Sequence, residues 1–231
     1  MQDMEKTTKQ IVAHALEAGA TLAGLCSARD LADSPSYRAV PGVHPPYTEG
    51  ALIVLALRHP PTSPELDWWC GPGGTEGNRL LMSMCERMCE RIQADMDLAC
   101  TQLPYHPERG GVFLKDAAVY AGMGVIGRNN LVVTRDYGPD VRLRAVHVPL
   151  DLPSTGIPDF APCEDCYAPC QEACPQRAFS EGVYARDACA RQMTADEASR
   201  APHPRNPLGK DKPCIRYCRD CEQHCSLSEA T

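Results

Sequence analysis

Nine of the fourteen cysteines fall between Cys163 and Cys225, and the other five are scattered at Cys26, Cys70, Cys85, Cys89 and Cys100. Fourteen is far above ordinary usage for a 231-residue chain, and the asymmetry marks a boundary. It predicts a larger domain over residues 1–157 and a small cysteine-bearing one over residues 158–231.

The first residues, MQDMEKTTKQIVAHALEAG, lack a basic start followed by an apolar core and a cleavage site, so nothing reads as a signal peptide. The longest purely apolar run, residues 51–57, falls far short of the ~20 residues a membrane-spanning helix needs. These features predict a cytoplasmic protein with no membrane partner, where clustered thiols serve as metal ligands or redox groups more often than as disulfides. A net charge of −7 argues against a dominant phosphate-binding surface and leaves room only for a local basic patch.

Ahead of residue 157 the apolar patterning predicts an α/β domain with a mixed sheet. Ile11, Val12, Ala15 and Leu16 form a helical stripe ending at Gly19, and residues 21–25 read as a short strand. Residues 51–57 are apolar at every position, the pattern of a strand covered on both faces in the centre of a sheet. Residues 60–77 are rich in Pro, Gly and Ser and read as a loop in which Trp68 and Trp69 cap a core. Leu81, Cys85, Met88, Ile92, Met96 and Ala99 recur at three and four, predicting a helix over 77–103 halted by Pro104, with Cys85 and Cys89 acting as small hydrophobes. A further helix is expected over 115–121, then strands over 130–134 and 141–148 joined as a hairpin-like pair by the turn at residues 136–139.

The segment Gly122-Met123-Gly124-Val125-Ile126-Gly127 matches the GxGxxG dinucleotide fingerprint in the wrong context. That fingerprint needs a strand before the glycines and a helix after, whereas here a helix precedes and a β-branched run follows. The glycines are better read as permitting a tight turn or a close approach of backbone to another group.

Cys163, Cys166, Cys170 and Cys174 followed by Pro175 come close to the bacterial ferredoxin run CxxCxxCxxxCP, with one extra residue among Tyr167, Ala168 and Pro169. In that run three cysteines wrap one 4Fe–4S cubane and the fourth reaches to a second cluster, so a partner group is required. Cys218, Cys221 and Cys225 supply it, with Cys214 just ahead and Cys189 alone in a helix-like segment. Eight ligands for two cubanes can be drawn from these nine cysteines. Zinc held by the CxxC pairs is the competing reading, but it leaves several clustered thiols unused and gives no reason for the Cys-Pro ending.

Together KDAAVYAGMGVIGRNNLVV, the CxxCxxxCxxxCP run, Cys189 within ARDACARQMT, and CRDCEQHC resemble the epoxyqueuosine reductases and their corrinoid iron-sulfur relatives, which include reductive dehalogenases. The resemblance covers roughly residues 110–225, with a weaker echo in ALEAGATLAGL and ALIVLALRHP. It implies that Cys163, Cys166, Cys170 and Cys225 hold one cluster, that Cys174, Cys189, Cys218 and Cys221 hold the other, and that Cys214 is a spare thiol. It further implies a small α-helical, ferredoxin-like two-cluster domain behind the α/β domain, with cobalamin as an additional cofactor. Tyr105, His106 and the glycines Gly122, Gly124 and Gly127 would lie beside the corrinoid. An ungapped alignment back from Gly122 places Glu108 where those reductases carry an acidic proton donor, Glu replacing Asp.

The expected function is therefore an iron-sulfur oxidoreductase that relays electrons from a small donor protein, such as a ferredoxin or flavodoxin, to a corrinoid or small-molecule substrate site. The sequence given ends six residues after Cys225, before the helical-repeat extension that grips transfer RNA in the reductases, so no nucleic-acid partner is expected. A ferredoxin-like carrier without corrinoid and a zinc-stabilised interaction module are the alternatives.

Overall fold

A computed structural model describes residues 2–71, 74–180, 182–203, 206 and 209–229. In chain order its helices are α1 (Gln2–Glu17), α2 (Ala28–Ala32), α3 (Pro35–Ala39), α4 (Glu76–Met96), α5 (Leu114–Tyr120), α6 (Pro169–Glu172), α7 (Arg186–Ala198) and α8 (Asp220–Gln223). Its strands are β1 (Leu22–Ser27), β2 (Ala51–Arg58), β3 (Thr101–Gln102), β4 (Gly124–Ile126), β5 (Val132–Thr134), β6 (Val141–Val148), β7 (Ala201–Pro202) and β8 (Pro213–Cys214). The chain divides into two compact units, each assembled from three segments. The first comprises Met1–Leu57, Leu81–Val125 and Leu143–Phe160; the second comprises Arg58–Leu80, Ile126–Arg142 and Ala161–Thr231.

Unit 1 is α/β, as the sequence predicts. Its sheet runs in the order β1-β2-β6-β3, with the β1–β2 and β3–β6 pairs antiparallel. The fully apolar β2 occupies an inner position, and Ile53, Val54 and Leu55 are completely buried because both faces of the strand are covered. Helix α4 contributes Leu81, Cys85, Met88 and Ile92 to the same core, joined by Ile11 and Ala15 of α1. Leu16 departs from the expected stripe: it is 46% exposed, one residue beyond the face that Ala15 buries.

Three expectations are corrected here. The helix predicted over 77–103 stops at Met96, because Asp97 adopts a left-handed backbone (φ 51°) and Thr101 and Gln102 leave to pair with His147 and Val146. Cys89 is not merely a small hydrophobe but forms a disulfide with Cys100. The hairpin expected from strands over 130–134 and 141–148 does not form either. The turn exists, with the Thr134 amide donating to the Gly138 carbonyl, yet β5 pairs with β4 while β6 enters the four-stranded sheet. Of the two, β6 has eight residues and carries the buried Ala145, Val146 and Val148, the last two packed in the main core.

One glycine is fixed by packing. A Cβ on Gly24 of β1 would lie 2.0 Å from the Ala121 carbonyl oxygen, so the C-terminus of α5 can approach the sheet only over a bare backbone. Among the described residues no helix is long and apolar enough to cross a membrane.

Candidate functional site

Unit 2 carries several small apolar clusters among its described residues. Its small clusters are built around cysteine, namely Trp68 with Cys70 and Cys214, Ala168 with Cys170 and Cys225, and Ala178, Phe179 and Ala188 with Cys174, Cys189 and Cys221 packed against them. Thiols thus take the places that leucines hold elsewhere.

The sulfurs fall into two groups. Cys163, Cys166, Cys170 and Cys225 line one small cavity together with Arg128 and Asn129. The residue that widens the ferredoxin-like run is absorbed by a left-handed Ala168 (φ 60°), which turns the chain so that Pro169 can open α6 at the position a proline favours. Tyr167 is thereby pushed out to 78% exposure, while the Ala168 amide points back to donate to Cys166 Sγ at 3.4 Å. The Arg128 amide donates to Cys163 Sγ at 3.5 Å, and the Arg128 guanidinium clamps the same loop through the Cys166 carbonyl at 2.6 Å.

In the second group Cys174, Cys189 and Cys221 share one apolar patch, and Cys218 lies near enough to act electrostatically on Cys221. The Ala178 amide donates to Cys174 Sγ at 3.3 Å. Helix α7 contributes Cys189 from its first turn, and the Cys218 amide donates to Asp196 near the other end of that helix at 2.8 Å. Cys214 stands apart from both groups. It is bonded to Cys70, with their Cα atoms 4.2 Å apart.

Burial pushes Cys221 up to about 12, with the neighbouring Cys218, Glu222, Cys189 and Cys174 adding to the shift. Cys170 rises to about 11 by burial and then by Cys225, Cys163 and Cys166, and Cys218 rises to about 11 chiefly by burial. Four thiolates so placed repel one another. Only a cationic centre bonded to them offsets that repulsion and the lost hydration together.

Among the described residues no three or more His, Cys, Asp or Glu side chains converge on a point suited to one ion. A cubane is held at its corners by thiolates, and the four cysteines of the first group line one small cavity. The donor set and the amide-to-sulfur hydrogen bonds fit an iron-sulfur cluster in each group.

A buried charge network fixes the loop that carries Cys218 and Cys221. Arg219, between Cys218 and Cys221, is bonded by Asp67 and Glu222 and donates to the His59 carbonyl at 3.1 Å. Asp67 also accepts from His59 Nδ1 at 3.0 Å and Arg142 Nε at 2.6 Å. Burial alone would raise the Asp67 pKa, but His59, Arg142 and Arg219 outweigh it and hold the carboxyl below its ordinary value. Beyond Cys225, Asp140 accepts from Ser228 Oγ at 3.0 Å and from the Glu229 amide at 3.0 Å. These residues are not legible in the sequence because their partners lie as many as 160 positions away, as for His59 and Arg219. Only the Arg and Glu of CRDCEQHC, three apart, gave a local signal.

The remaining sequence-predicted residues lie elsewhere. Tyr105, His106 and Glu108 are exposed on one loop of unit 1, where Tyr105 packs edge-on to His106 and stacks over the buried Arg144. Gly122 follows α5 with φ 77° and is packed by the chain itself, since a Cβ there would meet Thr155 Cγ2 at 2.8 Å. Gly124 is the buried first residue of β4. Gly127 belongs to unit 2, where a Cβ would meet Val133 at 2.6 Å and lie 3.5 Å from Cys163 Sγ. A groove of about 480 Å³ in unit 1, lined in part by Tyr47, His147 and Asp151, touches none of these residues.

A four-stranded α/β unit joined to a unit whose free thiols gather in two groups defines a cysteine-rich class of two-unit α/β proteins. No family model matches the chain. Over 158 residues it is 30% identical to the epoxyqueuosine reductase of Pseudomonas aeruginosa, a match covering 66% of this chain and 41% of that protein. The enzyme of the same name from Shewanella oneidensis is 26% identical over 163 residues, covering 68% of this chain and 40% of its own length. A tetrachloroethene reductive dehalogenase of Desulfitobacterium hafniense is 35% identical over 91 residues, which cover 37% of this chain and 15% of that one. The matched region thus spans about two fifths of the first two relatives. In structure, an epoxyqueuosine reductase crystallised with a modified tRNA stem loop superposes with a TM-score of 0.68 at 17% identity, over 98% of this chain and 66% of that one. A catabolic reductive dehalogenase in complex with 3-bromo-4-hydroxybenzoic acid gives 0.54 at 17% identity, over 72% and 24%. The chain is similar in sequence to the epoxyqueuosine reductases and shares the fold of their solved structures, and its likeness extends to the reductive dehalogenases.

Proposed function

We propose that this protein is a reductase that passes single electrons through two 4Fe–4S clusters, one on Cys163, Cys166, Cys170 and Cys225 and one on Cys174, Cys189, Cys218 and Cys221. The observation that carries the reading is the partition of the cysteines. Four sulfurs share one cavity, three more share one patch with the fourth beside them, and the leftover Cys214 is occupied by Cys70. Cys170 and Cys174 are four residues apart, as are Cys221 and Cys225, so two short chain links, each of at most ~14 Å, tether the groups. Clusters that close exchange electrons without proton chemistry. The amides of Arg128, Ala168 and Ala178 stabilise negative charge on the sulfurs and so tune the potentials.

The acceptor lies in the α/β unit. A corrinoid there would supply a strongly reducing cobalt centre, as the likeness to reductive dehalogenases implies. Tyr105, His106 and Glu108 are the residues available to hold it, since Gly122 is already packed by Thr155. Glu108, exposed on the same loop, is the carboxylate we assign to proton transfer there. That packing of Gly122 also favours a second reading, an electron carrier with no corrinoid. Anaerobic purification distinguishes the cases: about eight iron atoms per chain support both, and a corrinoid absorption band selects the first. A colourless protein loaded with zinc overturns both. A small carrier protein is the electron donor and a small molecule the substrate.

A further inference from the structure

The second thiol group ends at the surface, and what surrounds it there is unusual for so acidic a chain. Residues 200–218 carry five cations and one acid, in a protein of net charge −7. Arg200, Lys210, Lys212 and Arg216 are exposed, and among the described residues none of them forms an ion pair with a carboxylate. Strands β7 and β8 pair to make this stretch a short hairpin, and the buried Asn206 braces its loop by donating to the Lys212 carbonyl at 2.7 Å.

The hairpin is anchored to a firm base. Cys214 is bonded to Cys70, Trp69 and Ile215 exchange two backbone hydrogen bonds of 2.9 Å, and the His203 ring packs 3.8 Å from that of Trp68. This base presents Trp69, 44% exposed, with the Tyr217 ring 6.2 Å away. The residue after Tyr217 is Cys218, the one free cysteine with an exposed side chain among those described.

From this juxtaposition we propose that Trp69, Tyr217 and the cations Arg200, Lys210, Lys212 and Arg216 form the docking surface for an acidic, one-electron carrier protein, delivering electrons at Cys218. The proposal rests on the reading of Cys218 as a cluster ligand. Aromatic side chains on a rigid base make good anchors at protein interfaces because they bury much area at little entropic cost. Unpaired cations around them attract an acidic partner and orient it before contact. The stretch suits a protein better than RNA. Asp196, Glu197, Asp211 and Asp220 are interspersed among the cations, and a continuous phosphate backbone would meet repulsion at each.

The test compares the wild-type chain with the triple variant Lys210→Glu, Lys212→Glu and Arg216→Glu, all at exposed positions, both anaerobically reconstituted. Stopped-flow reduction is driven by a reduced acidic ferredoxin and, separately, by dithionite. The wild-type rate constant with ferredoxin should fall steeply between 50 and 300 mM salt, and the variant's should be about tenfold lower at 50 mM. Dithionite should reduce both proteins equally, and Trp69→Ala should weaken the carrier reaction without altering the dithionite one. Equal ferredoxin rates for wild type and variant overturn the proposal. So does a variant that loses affinity for an RNA stem loop while keeping its carrier rate. If the chain takes up no iron, the cluster reading fails on its own. Calorimetric binding of the carrier to the metal-free chain, lost in the triple variant, would then still support the docking surface, and its absence would remove it.

Discussion

Replacing Asp67 with Ala removes the hub of the network that holds Arg219 and hence the loop between Cys218 and Cys221. The side chain is 6% exposed and accepts from His59, Arg142 and Arg219. Truncation strands His59 Nδ1 and leaves two guanidinium groups short of a counter-charge. Arg219 keeps Glu222, and Arg142, 29% exposed, turns to water. Breaking a buried pair by removing one partner costs ~3–5 kcal/mol, and these two compensations place the expected loss near the lower end, about 3 kcal/mol at pH 7. Urea titration followed by tryptophan fluorescence reads the effect where it occurs, because the chain's two tryptophans, Trp68 and Trp69, both lie in unit 2. With a slope of ~2 kcal/mol/M, the midpoint should fall by ~1.5 M. The pH dependence has a definite sign. The Asp67 pKa is lowered in the folded protein, so its contribution is present above the unfolded value and is lost as pH falls through the folded one. The gap between wild type and variant should therefore hold from pH 7 to 5 and narrow below about pH 4. A midpoint shift under ~0.4 M at pH 7, or a gap that widens in acid, would refute the reasoning.

Cys189→Ala should cut iron from about eight to about four atoms per chain while Cys214→Ala leaves it unchanged, read by iron and acid-labile sulfide assay; equal losses would reassign the ligand. Gly24→Ala should lower the melting temperature of the whole chain, because its methyl group would sit 2.0 Å from the Ala121 carbonyl and force α5 off the sheet at a cost of at least ~1–3 kcal/mol. An unshifted melt would mean that β1 and α5 do not pack this closely. Leu55→Ala, in the fully buried inner strand, should cost ~2–5 kcal/mol in the same assay.

The elements legible in the sequence are those whose burial is uniform along a single segment. Strand β2 announced itself because every residue is apolar, and α4 because Leu81, Cys85, Met88 and Ile92 keep helical spacing. The end of α4 and the partner of β5 were not legible. Both depend on strands elsewhere in the chain, through the Thr101–His147 pairing and the β4–β5 pair. At the site, cysteine spacing brought the thiols into view. The proteins's other contributions there are not periodic: a left-handed Ala168, amides aimed at sulfur, and an Asp67 that reaches Arg219 across 152 positions. Cys214 illustrates the limit, since its spacing from Cys218 looked ligand-like while its true neighbour, Cys70, lies 144 residues earlier.

Iron and acid-labile sulfide counted on the anaerobically reconstituted chain, with Mössbauer spectra of the same sample, test the cluster assignment most directly. Two cubanes require about eight of each atom per chain and spectra of cubane iron throughout. A chain that binds no iron, or that takes up only zinc, contradicts it.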